Sequence, residues 1–157
     1  MAKHQLSQAA HDRLTAEFAD LTTRGRIQVA EKIEAARLLG DLKENGDYHA
    51  AKDEYGMLND RKNLVQGILE NSEIALAPPA GEVGVLSVVT VLFKGDRPED
   101  AETYLIGHIE EKRDGIEIMS PASPIGSALL GAKEGADVSV TLENGNKVAV
   151  TVVKVAN

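Results

Sequence analysis

The sequence contains no cysteine, and none of its 5 prolines lies in the first 77 residues. Without cysteine, disulfide bonds and thiolate metal sites are excluded, and a reducing cytosol is compatible with the chain. Aromatic residues make up only 3%, so a core must be built from Leu, Ile, Val and Ala. The longest apolar stretch, residues 85–93, is interrupted by Ser87 and Thr90 and falls short of the roughly 20 residues that span a bilayer. Residues 1–6 open no apolar segment of the secretory type, so we expect a cytoplasmic protein without a membrane partner.

The chain also lacks an excess of basic residues, because its formal net charge is −8. Through residue 75 there are 10 Lys and Arg against 13 Asp and Glu, and the remaining 7 Lys and Arg face 12 Asp and Glu. Both halves are therefore acidic. Free-standing binding of nucleic acid requires a basic surface that displaces counterions, which this composition does not supply. The charge favours a basic protein partner or channel instead.

The composition changes at residues 76–81, which read Leu-Ala-Pro-Pro-Ala-Gly. Proline is absent before this segment, whereas proline, glycine and valine are frequent after it. A Pro-Pro pair flanked by Ala and Gly stops a helix and is typical of a linker. We therefore predict an N-terminal domain over residues 1–76, a linker over 77–82 and a C-terminal domain over 83–157.

Apolar residues in the N-terminal domain recur at helical spacing. The first run comprises Ala10, Leu14, Phe18, Leu21, then Ile27, Ala30 and Ile33, with a phase shift near Gly25. The second run alternates spacings of three and four, as in a coiled-coil seam, through Tyr48, Ala51, Tyr55, Leu58, Lys62, Val65 and Leu69. A short connection between the two runs makes the helices antiparallel. The pattern predicts a helical hairpin with arms of roughly 45 Å and residues 40–46 at its far end.

The C-terminal domain has the alternation of short strands. Candidate strands lie within residues 84–93, 102–109, 115–119, 138–142 and 147–155, and Asn144-Gly145 is a hairpin signal between the last two. Residues 124–131 predict a short helix, with Pro124 near its start and Gly131 just past its end. We expect an α+β protein in which a small antiparallel sheet packs on this helix.

The connection between the two helical runs carries the most specific motif. Residues 40–51 read Gly-Asp-Leu-Lys-Glu-Asn-Gly-Asp-Tyr-His-Ala-Ala. This segment resembles the signature of the Gre family of bacterial transcript-cleavage factors, in its GreA-type form, which reads Gly-Asp-Leu-x-Glu-Asn-x-x-Tyr-x-x-Ala. Residues 120–131 are similar to a Ser-Pro-x-x-x-Leu-Ile-Gly region of the same family. The chain departs from the family in carrying Gly25 where many members have a nearby Pro, and Gly46 where Ala is common.

The resemblance implies a function as well as a fold. It implies a C-terminal domain with an FK506-binding-protein-like fold that docks near the rim of the secondary channel of bacterial RNA polymerase core, while the hairpin reaches down that channel. Its tip would stimulate the polymerase to cleave the 3′ end of backtracked nascent RNA. The protein would then be a monomeric activator and not itself an enzyme.

Asp41 and Glu44 are the candidate catalytic and metal-binding pair. Carboxylate oxygens suit Mg²⁺, but two of them alone hold it weakly, so we expect no stably bound cofactor and a Mg²⁺ shared with the polymerase during cleavage. The resemblance implies this division of ligands between the two proteins. The structural alternative for the pair is a helix N-cap with an acidic first turn.

Five further residues surround this pair. Arg37 and Lys52 should flank the tip, one on each helix, and the resemblance implies contact with RNA or the channel wall; solvated helix surface is an equal alternative. Tyr48 occupies the first seam position, where packing is favoured over stacking on a nucleobase. Gly40 and Asn45 should shape the turn. His4, His11 and His108 have no metal-ligand spacing, and nothing in the sequence assigns His49 more than an exposed position.

Three other functions remain open from the sequence. A Gre-like homologue could plug the polymerase channel and inhibit synthesis without promoting cleavage. A prolyl isomerase with a coiled-coil appendage would need an aromatic pocket, for which the second half offers only Phe93 and Tyr104. A coiled-coil adaptor would self-associate through the seam and be indifferent to polymerase.

Overall fold

The computed structural model describes residues 3–157, which fall into two compact units. One unit contains residues 11–72, and the other contains residues 3–10 together with Glu73–Asn157. The unit with the hairpin therefore begins later and ends earlier than the predicted N-terminal domain of residues 1–76. Within the described residues, no helix combines the length and apolar character needed to cross a membrane.

The hairpin consists of three helices. The first arm comprises α1 (Gln8–Thr22) and α2 (Arg24–Arg37), and the second arm is α3 (Gly46–Glu70). The first arm is interrupted at Thr23, whose φ of −121° and ψ of −93° are not helical. This break coincides with the phase shift near Gly25. A Cβ at Gly25 would lie 3.3 Å from Leu58 Cδ1 and 3.2 Å from Asp20 O, so glycine permits close approach of the arms here.

The two arms pack through small and branched side chains. Val29 and Ala36 of α2 and Ala51 and Val65 of α3 are buried. Ala51 and Val65 thus lie in the seam as predicted, whereas Tyr55, which was also predicted there, is 42% exposed. In α2 the seam differs from the predicted Ile27, Ala30 and Ile33, because Ile27 is 59% exposed. The buried residues Val29 and Ala36 and the half-buried Ile33 follow one face of α2 at spacings of four and three.

Charged side chains also join the arms. Arg61 of α3 donates two hydrogen bonds to the Glu17 carboxylate of α1, at 2.6 and 3.0 Å. A second ion pair connects Lys32 Nζ to Glu54 Oε1 at 2.9 Å, nearer the far end of the hairpin. The arginine pair is bidentate, and its planar guanidinium matches the geometry of the carboxylate.

The other unit is a five-stranded sheet in the order β5-β4-β3-β7-β6. Its strands are β3 (Val88–Phe93), β4 (Glu102–Ile106), β5 (Glu117–Met119), β6 (Asp137–Thr141) and β7 (Lys147–Ala156). The predicted sheet was antiparallel throughout, but β4 and β5 pair in parallel, so the sheet is mixed. Residues 107–116 between them cross back to the starting end of β4, through a 3₁₀ turn at Ile109–Glu111. The hairpin predicted at Asn144-Gly145 is confirmed, with Gly145 at a φ of +86°.

The helix α4 (Pro124–Leu129) covers one face of this sheet. Ser123 caps its start by accepting a hydrogen bond from Gly126 N at 3.0 Å. Gly126 admits no side chain, because a Cβ there would lie 2.0 Å from Ser120 O. In the core, Leu129 packs with buried residues of the strands: Val89, Val91, Ile106, Val140, Val150 and Val152.

The N-terminal segment belongs to the sheet unit and not to the hairpin. Strand β1 (His4–Leu6) pairs with β2 (Ser72–Ile74), a two-stranded sheet that the sequence reading did not predict. The buried carboxylate of Glu111 accepts hydrogen bonds from Ser7 N at 2.9 Å and from Ser7 Oγ at 2.6 Å. The predicted linker is tied to the same unit, because Asn157 Nδ2 donates to Pro79 O and Glu82 O at 2.7 and 3.0 Å.

Tyr104 on β4 gives a pH-dependent test of the sheet geometry. Its hydroxyl donates a hydrogen bond to Glu102, and this bond, with burial and the charge of Glu102, raises the pKa of Tyr104 to about 12. Because the folded-state pKa lies above the ordinary value of 10.0, the neutral phenol stabilises the fold below pH 10 and this contribution is lost as pH approaches 12. We expect a spectrophotometric titration to show one tyrosine ionising late. Glu102→Gln should return that tyrosine toward pH 10; an unchanged titration curve would contradict the pairing.

Candidate functional site

The loop at the far end of the hairpin runs from Leu38 to Asn45, between the last residue of α2 and the first of α3. Gly40 turns the chain with a φ of +122°, a conformation that glycine adopts at no steric cost. Leu38, Leu39 and Leu42 remain exposed around this turn. The side chains of this loop are therefore accessible to a partner.

Asn45 connects the two helix ends. As the N-cap of α3, its Oδ1 accepts a hydrogen bond from Tyr48 N at 3.0 Å. Its Nδ2 donates to Ala36 O at 2.5 Å, in the last turn of α2. One side chain therefore satisfies an unpaired N–H at the start of one helix and adds a second donor to Ala36 O, which also accepts from Leu39 N at 3.1 Å.

Asp41 and Glu44 both lie in this loop with exposed side chains. Asp41 Oδ1 accepts a hydrogen bond from Lys43 N at 3.0 Å, which closes a small turn of the Asx type. The alternative that this pair forms a capping box is wrong, because Asn45 takes the N-cap position and Glu44 precedes the helix. The turn restrains Asp41, and the side chains of Asp41 and Glu44 are both exposed to solvent.

A third carboxylate lies beside the pair. Asp47, in the first turn of α3, lines an open hollow of about 380 Å³ together with Leu39, Asp41, Glu44, Asn45 and Gly46. Asp47 is not among the site residues predicted from the sequence. Its spacing of three residues from Glu44 is the feature of the sequence that could have identified it. Within residues 3–157, no three acidic or histidine side chains converge closely enough to hold a metal ion by themselves.

The loop therefore offers Mg²⁺ a small set of exposed carboxylate oxygens. Asp41 and Glu44 offer hard oxygen ligands that Mg²⁺ prefers, but a stable octahedral site needs more ligands than they supply. Asp47 adds negative charge at the helix N-terminus, where a carboxylate is favoured by the helix dipole. A partner that contributes further oxygen ligands would complete the site.

The predicted flanking residues occupy both arms. Arg37 is the last residue of α2 and is exposed, and Lys52 lies on α3 with its Nζ 5.4 Å from the centroid of the Tyr48 ring. Tyr48 is half-buried at the seam, and its ring makes a cation–π contact with the Lys52 amine. The structure places these three residues around the loop; their contacts with RNA or protein stay predictions.

His49 is exposed, as expected from the sequence, but it also contacts the loop directly. Its Nε2 lies 3.0 Å from Lys43 O, and its ring lies 5.9 Å from that of Tyr48. No motif marks this contact, because it depends on how the loop folds back over the first turn of α3.

The sheet unit has its own cavity of about 670 Å³, which includes His4, His108, Ile109 and Pro121 in its lining. The rings of His4 and His108 meet edge to face at 4.9 Å. Burial lowers the pKa of His108, and the neighbouring His4 lowers it further, whereas Glu110 and Glu111 act in the opposite direction. His108 Nδ1 accepts a hydrogen bond from Glu110 N at 3.1 Å, so this ring serves the local turn.

These features define a two-unit α+β protein in which a helical hairpin exposes paired carboxylates at its far end. Residues 4–74 match the family model described as transcription elongation factor, N-terminal, and residues 78–157 match the model described as transcription elongation factor, GreA/GreB, C-term. The chain belongs to the GreA/GreB family of transcription elongation factors.

Similar proteins agree with this assignment. Transcription elongation factor GreA of Streptomyces coelicolor is 41% identical over 150 residues, covering 95% of this chain and 90% of that protein. The protein of the same name from Mycobacteroides abscessus is 43% identical over 151 residues, covering 94% and 91%. Among solved structures, GreA factor homolog 1 of Thermus thermophilus is 24% identical over 99% of both chains, with a TM-score of 0.43 that is too low to bear on function.

Proposed function

We propose that this chain binds bacterial RNA polymerase core, inserts the hairpin loop into the secondary channel and stimulates the polymerase's own cleavage of backtracked RNA. Cleavage removes the 3′ end of the nascent transcript and rescues the arrested complex. The observation that supports this best is the exposed pair Asp41 and Glu44, held by an ordered turn at the end of a long hairpin. The chain acts as an activator and not as an enzyme by itself.

The loop residues have separate tasks in this proposal. Asp41 and Glu44 would hold one Mg²⁺ jointly with polymerase groups. A bound Mg²⁺ supplies charge stabilisation at the scissile phosphate and favours ionisation of the attacking water. Asn45 and Gly40 maintain the loop that presents the carboxylates. Pre-organised ligands lower the cost of assembling the site at the moment of reaction.

The charge distribution suits a protein channel better than free RNA. A net charge of −8 opposes binding to an isolated transcript, whereas a basic channel attracts an acidic hairpin. Arg37 and Lys52 provide positive charge close to the loop, where they contact the extruded RNA or the channel wall. Tyr48 supports the Lys52 amine in this position. The sheet domain anchors the chain at the channel rim.

The proposal is tested with a stalled, backtracked polymerase complex that carries end-labelled RNA. Addition of this protein with Mg²⁺ should shorten the RNA from its 3′ end and restore elongation when nucleotides are added. If RNA length is unchanged and synthesis becomes slower, the chain is the channel-binding inhibitor of the same architecture. If neither length nor elongation rate responds, it does not act on the polymerase active site.

A further inference from the structure

His49 contacts the loop from the first turn of α3. Its Nε2 lies 3.0 Å from the backbone carbonyl oxygen of Lys43. Because a carbonyl oxygen only accepts hydrogen bonds, Nε2 must carry the proton and donate it. The imidazole is itself placed by the helix, since His49 N donates to Asn45 O at 3.1 Å and Asn45 caps the same turn.

The backbone of Lys43 is consequently held on both sides. Its N–H donates to Asp41 Oδ1 at 3.0 Å, and its C=O accepts from His49. The Lys43 carbonyl and the Glu44 amide belong to one planar peptide unit. Restraining that plane restrains the N–Cα bond of Glu44, so fewer directions remain open to its side chain, while the Asx turn restrains Asp41.

We propose that His49 is a positioning residue that orients Asp41 and Glu44 toward a common cation. This inference rests on the proposed function of the carboxylate pair, but the restraint itself is a property of the free chain. Exposed loop side chains lose conformational freedom when they bind an ion, and a loop that is already restrained loses less. Residues that orient metal ligands through hydrogen bonds change metal affinity or activity by about 10- to 100-fold when removed.

Two substitutions separate the hydrogen bond from the bulk of the ring. His49→Leu removes the donor, whereas His49→Gln keeps an N–H donor on a side chain of similar reach. Lys43→Ala is the control for loop order, because the bond is made to the backbone carbonyl and not to the Lys43 side chain. In the full-length protein without polymerase, backbone ¹⁵N relaxation should give order parameters near 0.8 for Lys43 and Glu44 in the wild type and below about 0.6 in His49→Leu. His49→Gln and Lys43→Ala should resemble the wild type.

Metal binding supplies the second readout. Mn²⁺ added to the free protein should broaden the amide resonances of Asp41 and Glu44, and His49→Leu should need about tenfold more Mn²⁺ for equal broadening. In the backtracked complex, the Mg²⁺ concentration for half-maximal cleavage should rise about tenfold for His49→Leu and recover in His49→Gln. Two results for His49→Leu would overturn the role of His49. One is unchanged order parameters. The other is altered order parameters with no change in the Mn²⁺ needed for broadening or in the Mg²⁺ concentration for half-maximal cleavage. Absence of cleavage with the wild type would count against the proposed function alone, since relaxation and Mn²⁺ broadening still decide the role of His49.

Discussion

Asp41→Asn or Glu44→Gln is expected to lower stimulated RNA cleavage by about 100-fold, the order found when a preorganised electrostatic group is removed from an active site. Asn retains an oxygen that accepts the hydrogen bond from Lys43 N, so the turn at Asp41 persists while the charge is lost. Glu44→Gln likewise preserves size. The loss then reflects weaker ligation of the shared cation and not a misfolded loop.

The measurement compares cleavage rates of one backtracked complex at saturating protein, with polymerase affinity measured separately by competition. Affinity should change little, because in the proposed function the sheet domain and not the loop anchors the chain to the polymerase. Glu31→Gln on α2 and Asp60→Asn on α3 are matched controls, being exposed acidic residues outside the loop. If affinity falls together with cleavage, the loop anchors the protein and the proposed chemistry is wrong.

The parts of the molecule that follow from local pattern could be predicted from the sequence. The seam through Ala51 and Val65, the phase shift near Gly25 and the turn at Asn144-Gly145 each depend on residues close together in the chain. Their structural consequences, a packed arm, a helix break and a hairpin, are local as well. The tip loop was placed correctly between the arms because glycine at position 40 and Asn45 both disfavour a continuous helix.

The remaining features depend on contacts between distant residues. Alternation in β4 and β5 predicts strands but not their relative direction, which is set by how residues 107–116 return. The pairing of β1 with β2 joins residues about 70 positions apart, and three-residue strands leave no periodic signal. At the tip, Asp41 and Asn45 are both good N-cap residues, and only the hydrogen bond from Tyr48 N to Asn45 Oδ1 shows which one begins α3.

The core of the sheet domain makes a large and specific prediction for Leu129. This residue of α4 is fully buried among the central strands, whereas the adjacent Leu130 is 38% exposed. Leu129→Ala should lower the free energy of unfolding by about 2–5 kcal/mol, because the cavity it leaves is lined by strand residues that relax only partially. Leu130→Ala is the matched control and should cost less than about 1 kcal/mol.

For a domain of this size, a loss near 3 kcal/mol corresponds to a fall in Tm of roughly 10–20 °C. Calorimetry measures this fall, and hydrogen exchange at Val89 and Val152 assigns it to the sheet, since amides of central strands exchange only in large openings. The hairpin amides of Val65 and Ile68 provide an internal comparison in the same sample. Equal shifts for Leu129→Ala and Leu130→Ala would mean that α4 does not pack on the sheet through Leu129. A large fall in Tm for Leu129→Ala but not for Leu130→Ala would show that α4, a helix of six residues, packs on the sheet mainly through Leu129.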